Sequence, residues 1–179
     1  MPNTKPVGVA FSDPELVAGT TITGATITGA TLDSTTKVLS NVASGFFASQ
    51  QGATIATTTG GTNDVFIIVP ANGVLTTALF SGVDALTASD TNYITFSITN
   101  LGQAGAGSAA MLAATNPNTT KATGGTAIVA NGKFTLTLNG TAANLVVADG
   151  DRLRIRATVS GTLANTVTFP VYNLEFSVS

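Results

Sequence analysis

A chain of 179 residues with no Cys, His or Trp, and only 9% charged residues, is poorly equipped for catalysis. The usual general acid–base residue, the thiol nucleophile and the commonest zinc ligands are missing. A net charge of −2, from seven Lys and Arg against nine Asp and Glu, leaves no electrostatic footprint for nucleic acid or an anionic membrane.

Charge lies far below the roughly 25% of ordinary soluble domains. Surface solvation falls to hydroxyls and amides, which is easier to explain if much of the surface is covered in an assembly. The length allows one moderate domain plus an appendage, and the absence of Cys rules out a disulfide scaffold. The N-terminal MPNTKPVGVAF lacks an apolar run of signal-peptide length, and no stretch approaches the ~20 apolar residues of a membrane span. Synthesis in a cytoplasm, without export by the usual tag, is expected.

Met1 to Leu16 is a leader punctuated by Pro2, Pro6 and Pro14. Ser12-Asp13-Pro14-Glu15 matches a capping box, but Gly19 follows closely, so a turn or a single helical turn is expected. That turn is favoured over a metal site at its two acids. Thr20 to Ser34 then reads TTITG ATITG ATLDS, with Ile22, Ile27 and Leu32 five residues apart and glycines at Gly24 and Gly29. Five is neither the helical nor the strand period, so the chain must bend once per pentad. Solenoids with five-residue sides need about four sides per coil. Three pentads cannot close one coil, and the segment is expected to complete itself against a sister chain or a partner surface.

From Asn41 the pattern changes to strands. Val65 to Val69 is a continuous apolar run closed by Pro70-Ala71-Asn72-Gly73, which suits a strand buried on both faces. Tyr93 to Thr99 alternates, with Ile94, Phe96 and Ile98 inward. Phe134 to Leu138 and Leu174 to Val178 alternate likewise, and Asp149-Gly150 turns into a strand over Arg152 to Val159. Weaker strands are expected at Val42 to Thr58, Val74 to Val83, Thr126 to Ala130, Asn144 to Val147 and Thr166 to Tyr172. Ser108 to Thr115 is ambiguous: its alanines favour a short helix, limited to two turns by the flanking glycines and Asn116-Pro117-Asn118. Many short strands separated by turns predict an all-β fold, a β-sandwich that is jelly-roll-like, with an extended N-terminal arm. The expected division is an arm over residues 1–40 and a β-sandwich domain over 41–179.

Chemistry-bearing motifs are few. Asp149-Gly150-Asp151 resembles a pair of metal-binding carboxylates, but a calcium loop would need more oxygen ligands, so a turn leading into the strand is favoured. Asp64, Asp84 and Asp90 lie near expected loop ends, where an isolated Asp is usually a turn former. Gly102 to Gly107 lacks the Lys-Ser or Lys-Thr of a phosphate loop. A Ser–Lys pair is the one nucleophilic arrangement left open, and nothing marks one. No catalytic residue, metal or cofactor is expected. The charged feature that stands out is Arg152, Arg154 and Arg156, alternating with Leu153, Ile155 and Ala157 on one strand face. A solvent face, or cross-strand pairs with Glu175, Asp149 or Asp151, is the plain reading. An intersubunit or partner contact is the sharper one, since Arg is enriched in interfaces.

The leader Val7 to Leu16 (VGVAFSDPEL), the Thr-Ile-Thr-Gly-Ala pentads and the Thr- and Ala-rich β-region together resemble small structural proteins of tailed-bacteriophage heads, called decoration, cement or head-fibre proteins. The similarity continues in Asn118 to Gly125 (NTTKATGG) and Ser160 to Val167 (SGTLANTV). The resemblance implies a β-sandwich that commonly forms trimers on the outside of an icosahedral shell, with no catalytic residues. The expected partners are the major capsid protein and the chain itself as a homotrimer, with neither nucleic acid nor membrane. The expected location is the outer capsid surface of the virion. The arm would bind through Val7, Val9, Phe11, Leu16, Ile22, Ile27 and Leu32. The alternative is a phage fibre or adhesion module binding a host glycan. Such sites want exposed aromatic platforms, and the chain offers no Trp and only Tyr93 and Tyr172.

Overall fold

Residues that alternate along the sequence alternate between core and solvent in the structure, a computed structural model that describes residues 45–114 and 116–178. The strands are β1 (Phe46–Gln51), β2 (Thr62–Ile68), β3 (Gly73–Ser81), β4 (Tyr93–Asn100), β5 (Ala109–Ala110), β6 (Phe134–Leu136), β7 (Val146–Val147), β8 (Arg152–Ser160) and β9 (Val171–Val178). They form two antiparallel sheets. The first runs β1-β9-β3-β6, with β7 also pairing the start of β3; the second runs β2-β8-β4-β5. The contact pattern divides the chain between Leu39 and Ser40. The expected arm, with Val7, Val9, Phe11, Leu16, Ile22, Ile27 and Leu32, lies outside the described residues.

The two sheets pack face to face as a β-sandwich. Leu75, Ala78, Phe80, Leu174 and Phe176 of the first sheet and Ile94, Phe96, Ile98, Leu153 and Ile155 of the second share one buried cluster. Aromatic rings join the layers at its centre. Phe80 lies 4.7 Å from Phe96 between ring centroids, 5.3 Å from Tyr172 and 6.3 Å from Phe134. Tilted and edge-on rings of this kind contribute about 0.5–1.5 kcal/mol per pair beyond their buried area.

The side of the sandwich formed by β5 and β6 is closed. Leu112 and Leu138 bridge the edges, and the buried Asn118 donates to the carbonyls of Ala113 and Thr137, both at 2.9 Å, while accepting from the Thr137 amide at 2.7 Å. The opposite side, between β1 and β2, opens into a slot. One extra residue, Thr76, interrupts the β3–β9 register between the pairs Leu75–Phe176 and Thr77–Glu175. Its hydroxyl donates to the Glu175 carbonyl at 3.0 Å, so the bulge is held rather than loose.

Three expectations need correction. The run Val65 to Val69 is not buried on both faces. Through Ile68 it belongs to an edge strand in which Val65 and Ile67 face the core while Phe66 and Ile68 point outward, and Val69 is buried just beyond the strand end. The segment Ser108 to Thr115 forms no helix over its described residues: β5 pairs with β4, and Met111 donates to Ile98 and Ala113 to Thr137. Those edge bonds satisfy the backbone in place of helical ones. The expected strand Thr126 to Ala130 is reduced to an isolated bridge between Ile128 and Leu86.

Candidate interaction surfaces

Strand β8 lies between β2 and β4, so the alternation that buries Leu153, Ile155 and Ala157 sends Arg152, Arg154 and Arg156 to the outer face of the second sheet. The three arginines share that face but not their surroundings. Arg156 grips Asp64 with two bonds, Nε to Oδ1 and an Nη to Oδ2, both 2.6 Å. The pair is part-exposed, so it is worth no more than about 1 kcal/mol. The Arg156 hydrogen bonds hold the Asp64 carboxyl below its usual range, against a smaller opposing effect of burial. Arg152 instead lays its guanidinium over the Phe66 ring, 5.8 Å from the centroid. Arg154 sits across the ladder from Phe66, and its Nε is buried without a hydrogen-bond partner among the described residues.

The expected cross-strand partners Glu175, Asp149 and Asp151 are not the ones the stripe uses. Asp64, read from sequence as a turn former, is a strand residue opposite Arg156. No local signal could have revealed this, because the pair is created by a strand register spanning most of the domain. Asp151 is a buried brace. Its Oδ2 accepts from the Asn100 side chain at 2.8 Å and the Ala148 amide at 2.9 Å, closing the Asp149-Gly150 turn in which Gly150 takes φ 82°. The favoured reading of this motif as a turn thus describes its geometry. Asp84 and Asp90 fasten distant loops: hydrogen bonds from Thr168 to Asp84, and from the Thr123 amide and hydroxyl to Asp90, lower both carboxyls.

The apolar component of the surface is what the sequence reading missed. Phe47 is 78% exposed, Ile68 70% and Phe66 50%. They flank the slot between the two edge strands, a groove of about 500 Å³ also lined by Ser49, Gln50 and Pro70. Around the corner, on the outer face of the first sheet, Phe47 borders a smaller hollow of about 120 Å³ with Gly45, Thr76 and Glu175. The signal for this surface was present in Val65 to Val69. A five-residue apolar run on a strand with one solvent-facing side must expose its alternate members.

The arrangement offers contact chemistry: exposed rings and aliphatic groups to bury, with guanidinium groups beside them to pair. No family model matches the chain, and neither the curated proteins nor the solved structures hold a match to it.

Proposed function

We propose that this chain is a structural, non-enzymatic virion protein that decorates and stabilises the outer surface of a tailed-phage capsid. It would bind the major capsid protein as a symmetric homotrimer, docking through the N-terminal arm. The observation that carries the reading is the exposed apolar and cationic face of the second sheet. Phe66 and Ile68 stand exposed beside Arg152 and Arg154 in a chain of which only 9% of the residues are charged. A protein that works in a symmetric assembly needs such a face, because exposed apolar patches mark sites of association. Many weak contacts repeated by symmetry then make release slow.

The body is read as a jelly roll. The orders β1-β9-β3-β6 and β2-β8-β4-β5 support this. They are what results when a chain pairs its outermost strands antiparallel and rolls the paired ribbon into two sheets, as two Greek keys do. The fibre or adhesion alternative finds less support. Tyr172 is buried in the core, and Lys121 stands 4.6 Å over the Tyr93 ring. That leaves phenylalanines without hydrogen-bonding groups as the exposed rings.

Electron microscopy of virions labelled with antibody against this protein tests the reading. Label spread over the head surface is expected. Label confined to the tail or to fibre tips would replace decoration with the adhesion reading.

A further inference from the structure

We infer that Phe47 with Glu175 on one sheet, and Phe66 and Ile68 with Arg152 and Arg154 on the other, are the two halves of a single contact between copies of this chain. This rests on the oligomeric assembly proposed above and names the surface that builds it.

Each half couples an exposed apolar side chain to a charge across a strand ladder. Phe47 stands opposite Glu175 in the β1–β9 pair. Phe66 stands opposite Arg154, and Ile68 opposite Arg152, in the β2–β8 pair. Among the described residues, the one ion pair is Arg156 with Asp64, so Glu175, Arg152 and Arg154 keep their charges unpaired. The signs are complementary between the halves and alike within each. A two-fold contact of the arginine face with itself would set guanidinium against guanidinium. Setting the glutamate half of one copy on the arginine half of the next relieves this, and such head-to-tail contacts generate rings.

The geometry suits a ring. Both halves border the same open side of the sandwich, Phe47 on one lip of the slot and Phe66 and Ile68 on the other. The chain also enters the body there. Gly45 lies in the hollow with Phe47 and Glu175, and its backbone presses so close to the Phe176 carbonyl that a Cβ would collide with it. The 44 residues before it carry the pentads whose spacing calls for a sister chain.

Sedimentation equilibrium of the full-length protein provides the test. Wild type is expected to be a trimer at micromolar concentration. Arg154→Glu and Glu175→Arg should each weaken association about tenfold or more, and the two combined on one chain should restore it to within about threefold. Ile68→Ser should weaken association comparably, while Val129→Ser, at an exposed site in a loop away from the contact, should not. Circular dichroism melting checks that each variant folds; should a charge variant fail to fold, Ile68→Ser decides. A monomeric wild type, or a trimer indifferent to these changes, overturns the inference. A trimer that is indifferent to them yet still binds shells would leave the decoration reading standing and relocate the subunit contact.

Discussion

Tyr172 shows how much weight a single atom can carry in a core this apolar. The side chain is fully buried beside Phe80, and its hydroxyl has no hydrogen-bond partner among the described residues. Burial pushes that hydroxyl well above its usual range, because the phenolate would be left without solvent. An unsatisfied buried hydroxyl costs about 1–3 kcal/mol, whereas the ring itself contributes packing. Tyr172→Phe is therefore expected to leave stability unchanged or raise it by about 1 kcal/mol, read from the urea midpoint at constant m. A loss of 1 kcal/mol or more would mean that a water molecule satisfies the hydroxyl. The arginine stripe makes a related point. Three residues identical in type and spacing end differently: Arg156 pairs with Asp64, Arg152 lies over the Phe66 ring, and Arg154, opposite Phe66, keeps a buried nitrogen without a hydrogen-bond partner among the described residues.

At the scale of elements, what the sequence revealed divides by the range of the forces involved. Strands β4, β8 and β9 were legible because period-two alternation is a local property, and Ile94, Phe96, Ile98, Leu153, Ile155, Leu174 and Phe176 all face inward as it requires. The edge position of β2 was not legible, since an apolar run looks the same whether one face or both are covered. Asn118 was hidden for the same reason. In sequence it is part of a turn, Asn116-Pro117-Asn118; in the fold it bonds both Ala113 and Thr137 and closes one side of the sandwich. Asn118→Ala would take the side-chain acceptor from the Thr137 amide and remove both donors to the Ala113 and Thr137 carbonyls at a buried position. A loss of roughly 2–4 kcal/mol is expected in chemical denaturation, with the β-type circular dichroism spectrum retained below the transition. A loss under about 0.5 kcal/mol would show that the two segments hold together without this brace.

For the whole molecule, the question is how labour divides along the chain. The described residues alone assemble a core running from Ile55 to Phe176, with both sheets contributing and the rings of Phe80, Phe96, Phe134 and Tyr172 in mutual contact. The first 40 residues, by contrast, hold three prolines, the glycines of the pentads and large apolar side chains at a spacing that matches neither the strand nor the helical period. Such a segment offsets its ordering entropy, roughly 1–2 kcal/mol per residue, most readily by burying those side chains against another molecule. A protein lacking Met1 to Asp33 is therefore expected to keep a cooperative β-type melting transition and to lose binding to undecorated capsids, measured by co-sedimentation with purified shells. The oligomeric state of that truncated protein then separates the two surfaces. If it remains associated, the faces around Phe47 and Ile68 suffice to join copies, and the arm serves the shell. If it becomes monomeric yet still binds shells at wild-type affinity, docking lies on the β-domain, and the pentads act only in joining one copy to the next.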